Sequence, residues 1–268
     1  MESLRDLPAY LRRIGLPASQ PPPTVESLFA LHRAHVESIP FENLDILLGR
    51  PIRLDLPSLE SKLVAARRGG YCFEQNALFG GALSAIGLAA TPLAARVRLG
   101  GRKDSARAHM LLSVRAGERD WLADVGFGGG GLLEPMSIEP SGEARQGGWR
   151  FRLVDEGSER VLQSLGPTGW CDLYAFTLDP QLPVDFLVAN HYTSTHPDST
   201  FTKIPIVQRT SADAAHTIRG GIFATARPGA EPDERPIADA EELLVLLKER
   251  FDLTFPAGTK FRPRVSTP

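Results

Sequence analysis

The amino-acid sequence predicts an α+β fold, with helices first, strands next and a mixed segment last. Apolar residues recur at helical spacing through about the first 90 residues. From residue 92 the apolar period changes from about 3.6 to 2, and short runs of β-forming residues alternate with glycine turns. An amphipathic helical pattern returns at 239–251. Blocks of helix followed by blocks of strand are typical of α+β proteins.

Composition places the chain among ordinary globular proteins. It has 268 residues, of which 42% are hydrophobic and 23% charged, and its formal net charge is -2. This length is enough for one large domain or two to three modest ones. A near-neutral charge favours neither nucleic acid nor an anionic membrane surface as a partner. No apolar run reaches the length of a membrane span or resembles a signal peptide, so we expect a cytoplasmic protein.

Three helices are predicted in the first part of the chain. The segment 24–38 has Thr24 as its N-cap and places Leu28, Leu31 and His35 on one face. The segment 58–68 follows Pro57 and is expected to stop before a pair of glycines. A third helix begins near Cys72 and is expected to end near Gly87, with its apolar positions at steps of four and three residues.

The strands follow from period-two runs between glycine turns. The runs are PLAARVRL, RAHMLLSVR, DWLADV and WRFRLVD. They predict an antiparallel sheet or small barrel. Beyond them, NHYTSTHPDSTFTK at 190–203 is expected to be an ordered connector, strands are expected near 203–210 and 216–225, and 239–251 is expected to be a helix.

Cys72 occupies an unusual position, directly after a glycine pair and directly before a predicted helix, in the stretch RRGGYCFEQN. At a helix N-terminus the peptide dipoles and unpaired backbone N–H groups stabilise a thiolate over a thiol. The alternative is a small apolar core residue, and we interpret Cys171 in that way. With only two cysteines, the chain has no disulfide framework. Cys72 is therefore the candidate nucleophile.

One of the six histidines, His109, is the candidate base because of its position in a predicted hairpin. If RAHMLLSVR and ERDWLADV pair across a turn centred on Ala116 and Gly117, His109 lies directly opposite Asp124. Opposed side chains share a face with their Cβ atoms about 4.5–5.5 Å apart, so the carboxylate can hold one imidazole nitrogen and leave the other free. The alternative for His109 is a core residue with satisfied hydrogen bonds.

A cysteine that opens a helix, followed by histidine and a carboxylate on later antiparallel strands, is the order found in papain-like thiol enzymes. In detail, the sequence resembles the arylamine N-acetyltransferase family. The matching blocks are IPFENL at 39–44, RGGYCFEQN at 68–76, HMLLSV at 109–114, DVGFGG at 124–129 and NHYTSTHPDSTF at 190–201. The chain after these blocks carries little that resembles the family.

The resemblance implies a papain-like thiol-enzyme core in three parts. These are an N-terminal helical bundle at 1–88 carrying the nucleophile, an antiparallel β-barrel at 89–188 carrying the histidine and aspartate, and a connector with an α/β lid at 189–268. It implies Cys72, His109 and Asp124 as a catalytic triad. The helix-start position of Cys72 and the hairpin pairing of His109 with Asp124 indicate the same three residues independently of the family.

The resemblance also implies the surroundings of the thiol. Phe41, Phe127 and Phe201 are expected to line an apolar pocket suited to an aromatic amine, with ordinary core packing as the alternative. Glu42 and Arg68 are expected to form a supporting ion pair.

The run GFGGGG at 126–131 matches the dinucleotide-binding pattern G-x-G-x-x-G, but prolines and an antiparallel sheet replace the helix that this pattern requires. The backbone of Gly126 and Gly128 is expected instead to approach the pyrophosphate of coenzyme A, as the family's loop does. A plain glycine-rich bend is equally compatible with the sequence. No CxxC motif occurs, and His191 and His196 are five residues apart, so no metal site is predicted.

The expected activity is a ping-pong transfer from acetyl-CoA, through a Cys72 thioester, to arylamines, arylhydroxylamines or hydrazines. Acetyl-CoA is then a co-substrate, no cofactor is tightly bound, and the cellular role is xenobiotic metabolism. Two alternatives stay open. One is an amide synthase that closes macrolactam antibiotics, and the other is a non-catalytic relative that binds aromatic ligands or acyl-CoA.

Overall fold

The computed structural model describes residues 1–263. Within that range the α-helices are α1 (Leu7–Arg13), α2 (Val25–Ser38), α3 (Leu44–Leu47), α4 (Leu56–Leu59), α5 (Cys72–Ala85), α6 (Pro183–Thr195) and α7 (Ala240–Phe251). The strands are β1 (Phe41–Glu42), β2 (Ala89–Val97), β3 (His109–Ala116), β4 (Arg119–Ala123), β5 (Met136–Ser137), β6 (Glu143–Gln146), β7 (Trp149–Glu156), β8 (Glu159–Gly166), β9 (Gly169–Phe176), β10 (Ile206–Thr210), β11 (Ala215–Arg219), β12 (Ile222–Ala226) and β13 (Asp233–Pro236).

Helix α2 forms as predicted. The Thr24 hydroxyl accepts a hydrogen bond from the backbone N–H of Ser27 at 3.3 Å, which caps the first turn. The side chains of Leu28, Leu31 and His35 are buried. The capping residue and the apolar face therefore both agree with the sequence pattern.

The helix predicted at 58–68 differs from the structure at both ends. Helix α4 starts at Leu56, because the Asp55 carboxylate accepts from the backbone N–H of Ser58 at 3.0 Å. The chain then widens into a π-helix over Glu60–Ala65. It does not continue to 68, because Arg67 takes a left-handed conformation with φ of 50°.

Helix α5 begins at Cys72 and ends near Gly87, as predicted. Gly87 has a φ of 90°, a conformation that glycine adopts without strain, and the Leu88 N–H donates to the Leu83 carbonyl at 2.9 Å. The helix lies in an apolar core that it shares with α1, α2 and α4. A thiol is thereby fixed where a buried helix begins.

The second part of the chain is an eight-stranded antiparallel sheet of barrel-like form. Its strand order is β5-β4-β3-β2-β9-β8-β7-β6. A separate apolar core lies inside it, formed by Leu93, Leu111, Leu122, Leu153, Tyr174 and neighbouring side chains. Strand β3 lies between β4 and β2 in the sheet and also contacts α5, so the sheet brings His109 toward the start of the helix.

The third part contains a five-stranded antiparallel sheet in the order β1-β10-β11-β12-β13. One face packs against α7 through a third apolar core that includes Val207, Ile218 and Phe251. The single strand expected at 216–225 is a hairpin instead, because Gly220 has a φ of 62° and the chain reverses between β11 and β12. Helix α7 matches the predicted helix.

The connector expected at 190–203 is largely regular structure. Helix α6 covers 190–195, with Pro183 at its start and the Asp185 carboxylate accepting from the Leu182 N–H at 2.8 Å. The predicted boundary after residue 188 therefore falls inside a helix, and β1, from the first predicted part, pairs with β10 of the third. The division at 1–88, 89–188 and 189–268 stays a prediction, and residues 264–268 of its last part lie outside the described residues.

Helices and two antiparallel sheets in successive parts of the chain confirm the predicted α+β fold. Within residues 1–263, the helices are all too short or too polar to cross a membrane.

Candidate active site

Cys72 is the first residue of α5, and its side chain is 5% exposed. Two features hold the preceding loop. A Cβ atom on Gly69 would lie 2.2 Å from the Pro40 carbonyl oxygen, so the close approach of the two chain segments requires glycine. The Glu74 carboxylate accepts from the Tyr71 N–H at 3.1 Å and thus caps the helix.

His109 and Asp124 form a buried pair. Asp124 Oδ2 lies 2.7 Å from His109 Nε2, and both side chains are almost completely buried. Asp124 Oδ1 accepts two further hydrogen bonds at 3.0 Å, from Asn76 Nδ2 and from the Gly126 N–H. Both carboxylate oxygens are therefore held by neighbouring donors, which fixes the orientation of the imidazole.

The pairing register differs from the predicted one, although the contact forms. Ala116 pairs with Arg119, so the turn is centred on Gly117 and Glu118 rather than on Ala116 and Gly117. Gly117 has a φ of 61°, which a two-residue hairpin turn needs at its first central position. This shift moves the partner of every β3 residue by two positions. Because side chains alternate with a period of two, Asp124 stays on the same face and reaches His109 diagonally.

Opposite charges on His109 and Asp124 stabilise their contact. Burial alone lowers the pKa of His109, but the Asp124 carboxylate, its hydrogen bond and the Cys72 side chain raise it to about 10. Burial raises the pKa of Asp124, yet His109, Asn76 and the Gly126 N–H lower it below its ordinary value overall. The protonated imidazole and the carboxylate therefore stabilise each other, and His109 also interacts with the thiol through its side chain.

Two residues that sequence reasoning missed support the pair. Asn76 lies one turn after Cys72 and therefore on the same face of α5, and its Nδ2 also donates to the Met110 carbonyl at 2.7 Å. His32 Nε2 accepts from the backbone N–H of Asp124 at 3.1 Å. The helical spacing from Cys72 was a usable indication for Asn76. For His32, on a helix distant in sequence, no local pattern exists.

A third buried histidine, His35, stabilises the loop before the thiol. The Tyr10 hydroxyl donates to His35 Nδ1 at 2.8 Å, and His35 Nε2 donates to Gln75 Oε1 at 2.6 Å. The Gln75 amide nitrogen in turn donates to the carbonyls of Pro40 at 2.9 Å and Gly70 at 3.2 Å. Because the Gln75 amide nitrogen donates to these carbonyls, Gln75 Oε1 accepts from His35 Nε2. The proton of the neutral ring is therefore on Nε2, and Nδ1 accepts from the Tyr10 hydroxyl.

The predicted ion pair is present within a larger buried network. Arg68 Nη2 lies 2.6 Å from Glu42 Oε1, and Arg68 Nη1 lies 3.1 Å from Asp45 Oδ1. Lys62 joins Asp45, at 3.1 Å, to Glu74, at 2.7 Å. Glu74 is the residue that caps α5, so the network holds the chain segment on which Cys72 lies.

The three predicted phenylalanines lie around the thiol end of α5. Phe41 and Phe201 have ring centroids 6.2 Å apart, and Phe127 approaches His109 edge-on at 5.1 Å. Gly128 allows the segment that carries Phe127 to approach Phe41 closely, because a Cβ atom at this position would lie 2.6 Å from the Phe41 ring. Tyr174, which the sequence did not indicate, lies 4.9 Å from His109 by ring centroid.

The two predicted glycines occupy different places. A Cβ atom on Gly126 would lie 2.8 Å from the Cα of Cys72, so this glycine packs against the start of α5. Gly128 instead lines a cleft of about 300 Å³ between the glycine run and strands β10 and β11. Its walls also include Leu99, Trp149, Thr210 and Thr217. Of the two predicted glycines, only Gly128 therefore lines this cleft, together with the rest of the glycine run at 129–131.

The fold and this arrangement define the class of papain-like thiol enzymes: a cysteine opens a buried helix and lies beside an imidazole–carboxylate pair supplied by antiparallel strands. Within residues 1–263, no group of three or more histidine, cysteine or acidic side chains is arranged to hold a metal ion.

Comparisons with known proteins identify the family. A family profile described as N-acetyltransferase matches residues 24–259. An arylamine N-acetyltransferase of Mycolicibacterium smegmatis is 38% identical, over 97% of both chains. The crystal structure of Nocardia farcinica arylamine N-acetyltransferase superposes with a TM-score of 0.87 at 42% identity, covering 94% of this chain and 90% of that one. The Mycobacterium marinum enzyme, solved in complex with CoA, superposes with a TM-score of 0.87 at 34% identity over 92% of each chain.

The chain belongs to the arylamine N-acetyltransferase family, and the resemblance found in the sequence is confirmed. As a member of this family it is an acyltransferase.

Proposed function

We propose that this protein transfers the acetyl group of acetyl-CoA to an arylamine, arylhydroxylamine or hydrazine through an acetyl thioester on Cys72. The observation that carries the proposal is the 2.7 Å contact between His109 Nε2 and Asp124, because it leaves Nδ1 for the thiol that interacts with the same ring. The names of the relatives support the acceptor class, and the CoA complex of the M. marinum enzyme supports the donor. A cytoplasmic location and a role in xenobiotic metabolism stay predictions of the sequence.

In the first half-reaction, Asp124 holds the imidazole and His109 takes the proton of Cys72. The thiolate attacks the thioester carbon of acetyl-CoA, a new carbon–sulfur bond forms to Cys72, and the bond to the coenzyme A sulfur breaks. The departing sulfur recovers the proton from His109. The product is an acetyl-cysteine and free coenzyme A.

In the second half-reaction, the nitrogen of the acceptor attacks the acetyl-cysteine. His109 accepts a proton from this nitrogen, and the Cys72 sulfur leaves with the bonding electrons. The thiolate returns beside the protonated imidazole. The raised pKa of His109 supports this role, because the imidazolium persists whenever a thiolate faces it.

The negative oxygen of both tetrahedral intermediates needs hydrogen-bond donors. Cys72 is the first residue of α5, so its backbone N–H has no intrahelical partner. We assign this N–H as one donor to the oxyanion. Its position at the positive end of the helix dipole adds to the stabilisation.

The two substrates are assigned to two regions beside the thiol. Phe41, Phe127 and Phe201 supply flat apolar walls for the aromatic ring of the acceptor. Coenzyme A is assigned to the cleft of about 300 Å³ lined by Gly128, where backbone N–H groups can approach phosphate oxygens. Gly126 serves the close packing against Cys72 instead.

Intact-protein mass spectrometry with acetyl-CoA and no acceptor tests the proposal. The wild-type chain should gain the mass of one acetyl group, and addition of aniline should remove it. Cys171 is exposed on β9, so its interpretation as a core residue is wrong. Cys171→Ser is therefore the matched control and should be acetylated like the wild type. Cys72→Ala should gain nothing. Acetylation of Cys72→Ala but not of Cys171→Ser would overturn the assignment.

A further inference from the structure

The sheet face that packs against α7 becomes polar at one end. Val207 and Ile218 on this face belong to the apolar core beneath α7. At the next same-face position of β10, Arg209 lies directly opposite His216, and His216 lies opposite Thr225 on β12. Opposed residues share a face, so these three side chains form a polar row at the edge of the apolar core.

This row opens on a cavity of about 480 Å³, which we name the arginine cavity. It is lined by Glu37, Arg209, Ser211, Ala212, Asp213, Ala214, His216, Glu249 and Arg250. The cleft assigned to coenzyme A lies on the other face of the same strands, where Gln208 and Thr217 line it. The sheet therefore separates the arginine cavity from the cleft that leads to the thiol.

The arginines at this cavity have unused donors. Arg209 Nε donates to the Glu37 carbonyl at the end of α2, at 2.8 Å, but its two Nη atoms have no acceptor within residues 1–263. The Arg250 side chain has no hydrogen bond or ion pair to any described residue. A guanidinium presents five N–H donors in a planar fork, so most of the donors of these two side chains face the cavity or water.

Within residues 1–263, the acidic residues of the lining make no ion pair with Arg209 or Arg250. The Glu37 carboxylate is already paired with Arg33 at 3.2 Å, and Asp213 Oδ1 accepts from the Ser211 hydroxyl at 2.8 Å. Glu249 remains as the acid without such a contact in the described chain.

The pKa of His216 responds to the charged side chains around the cavity. Burial and then the positive charges of Arg250, Arg227 and Arg209 lower its pKa, and Asp213 opposes them. Arg209 and Arg250, which line the cavity, therefore lie close enough to act on the imidazole as positive charges.

We propose that the arginine cavity binds a phosphate-type oxyanion, held by the free Nη groups of Arg209 and by the guanidinium of Arg250. The planar guanidinium matches such an anion with two parallel N–H···O bonds. The anion is either free inorganic phosphate or the phosphate group of a small molecule such as a nucleotide. The volume of the cavity accommodates both. This site is separate from the acetyl-transfer site and does not depend on its chemistry.

Isothermal titration calorimetry of the full chain with inorganic phosphate, at ionic strength held constant with chloride, tests the proposal. The wild type should show saturable binding at one site, and Arg250→Gln should weaken it about tenfold or more, since a charge-assisted bidentate contact is lost. Lys248→Gln is the matched control, because it removes the same charge from the same exposed part of α7 without lining the cavity. It should bind phosphate like the wild type.

Further arms identify the source of the anion and the independence of the site. Adenosine 5′-monophosphate that binds more tightly than phosphate, with adenosine itself not binding, would support a nucleotide, and equal binding of both anions would support free phosphate. Cys72→Ala should bind phosphate unchanged. The proposal is overturned if the wild type shows no saturable binding of either anion, or if Arg209→Gln and Arg250→Gln both bind like Lys248→Gln.

Discussion

His32 accepts a hydrogen bond at 3.1 Å from the backbone N–H of Asp124, the residue whose carboxylate holds His109. Because His32 Nε2 accepts, the proton of the neutral ring lies on Nδ1, which donates to the Leu133 carbonyl at 3.0 Å. Burial lowers the pKa of His32 to about 4, so the ring stays neutral near pH 7. A buried neutral imidazole thus fixes the main chain from which the Asp124 side chain reaches His109.

Replacing His32 by phenylalanine should destabilise the protein and slow the reaction. His32→Phe leaves the Asp124 N–H buried without an acceptor, which costs about 1–3 kcal/mol. His32→Gln, whose amide oxygen accepts, should recover part of the loss. Urea unfolding and kcat for acetyl transfer measure the two effects. Equal urea midpoints and equal kcat for wild type and His32→Phe would contradict the assigned role.

The surroundings of Asp124 determine how an asparagine would sit there. Asn76 Nδ2 and the Gly126 N–H both donate to Oδ1, so the carbonyl oxygen of the new amide should take that place. Its NH₂ group then faces His109 Nε2 and forces the imidazole to carry its proton on Nδ1, toward the thiol. In this tautomer the ring cannot accept the proton of Cys72.

Asp124→Asn should therefore lower kcat/KM by about three to four orders of magnitude while the fold is retained. The control is Asp120→Asn on the same hairpin, whose carboxylate makes a single, exposed contact among residues 1–263, with Arg115 at 3.4 Å. It should leave kcat/KM unchanged. The assignment fails if Asp124→Asn keeps most of the wild-type rate with an unchanged circular dichroism spectrum.

The buried pair also predicts how stability depends on alkaline pH. The pKa of His109 is raised from 6.5 to about 10, so the folded state binds a proton that the unfolded state has released between these two values. The stabilisation is fully present below about pH 6.5 and is lost as the pH rises through about 10. Urea unfolding between about pH 7 and 10 should show this decline. His109→Gln should decline less steeply over the same range, and a parallel decline would contradict the raised pKa.

The candidate triad could be predicted because an error of two positions in strand pairing leaves every side chain on the same face of the sheet. The position of Cys72 follows from local rules for helix starts, and the alternation of strands places His109 and Asp124 on one face. The turn between Ala116 and Arg119 was misplaced by one residue, since both glycine-containing turns are compatible with the sequence. The resulting shift of two positions leaves the face of each side chain unchanged.

The parts that sequence reasoning missed depend on contacts between distant segments. His32 and Asp124 are 92 residues apart, and no periodicity links them. Helix α6 was interpreted as a connector beyond residue 190 because its residues there are polar and β-branched. Its buried face instead packs Phe186 near Phe73 at 6.0 Å and gives Asn190 a carbonyl acceptor at Ile52. Tertiary packing therefore decides its conformation over local propensity.

Steady-state kinetics separates a transferase from a hydrolase with the same three residues. One nucleophile serves both half-reactions, so coenzyme A must leave before the amine reaches the acetyl-cysteine. Double-reciprocal plots against acetyl-CoA at several fixed amine concentrations should therefore be parallel. Intersecting lines would show that both substrates are bound together and would contradict the thioester mechanism.

Water competes with the amine for the same thioester. The rings of Phe41, Phe127 and Phe201 should favour a flat aromatic over bulk water, so turnover of acetyl-CoA without an acceptor should be slow. Phe201→Ala removes the ring whose centroid lies 6.2 Å from that of Phe41, and it should raise KM for the aromatic amine more than KM for acetyl-CoA. Phe261→Ala, at an aromatic residue packed against the α7 core, is the control and should leave the ratio of the two KM values unchanged. If the wild type hydrolysed acetyl-CoA equally fast with and without aniline, the amine would not be the acceptor, and the transferase assignment would fail.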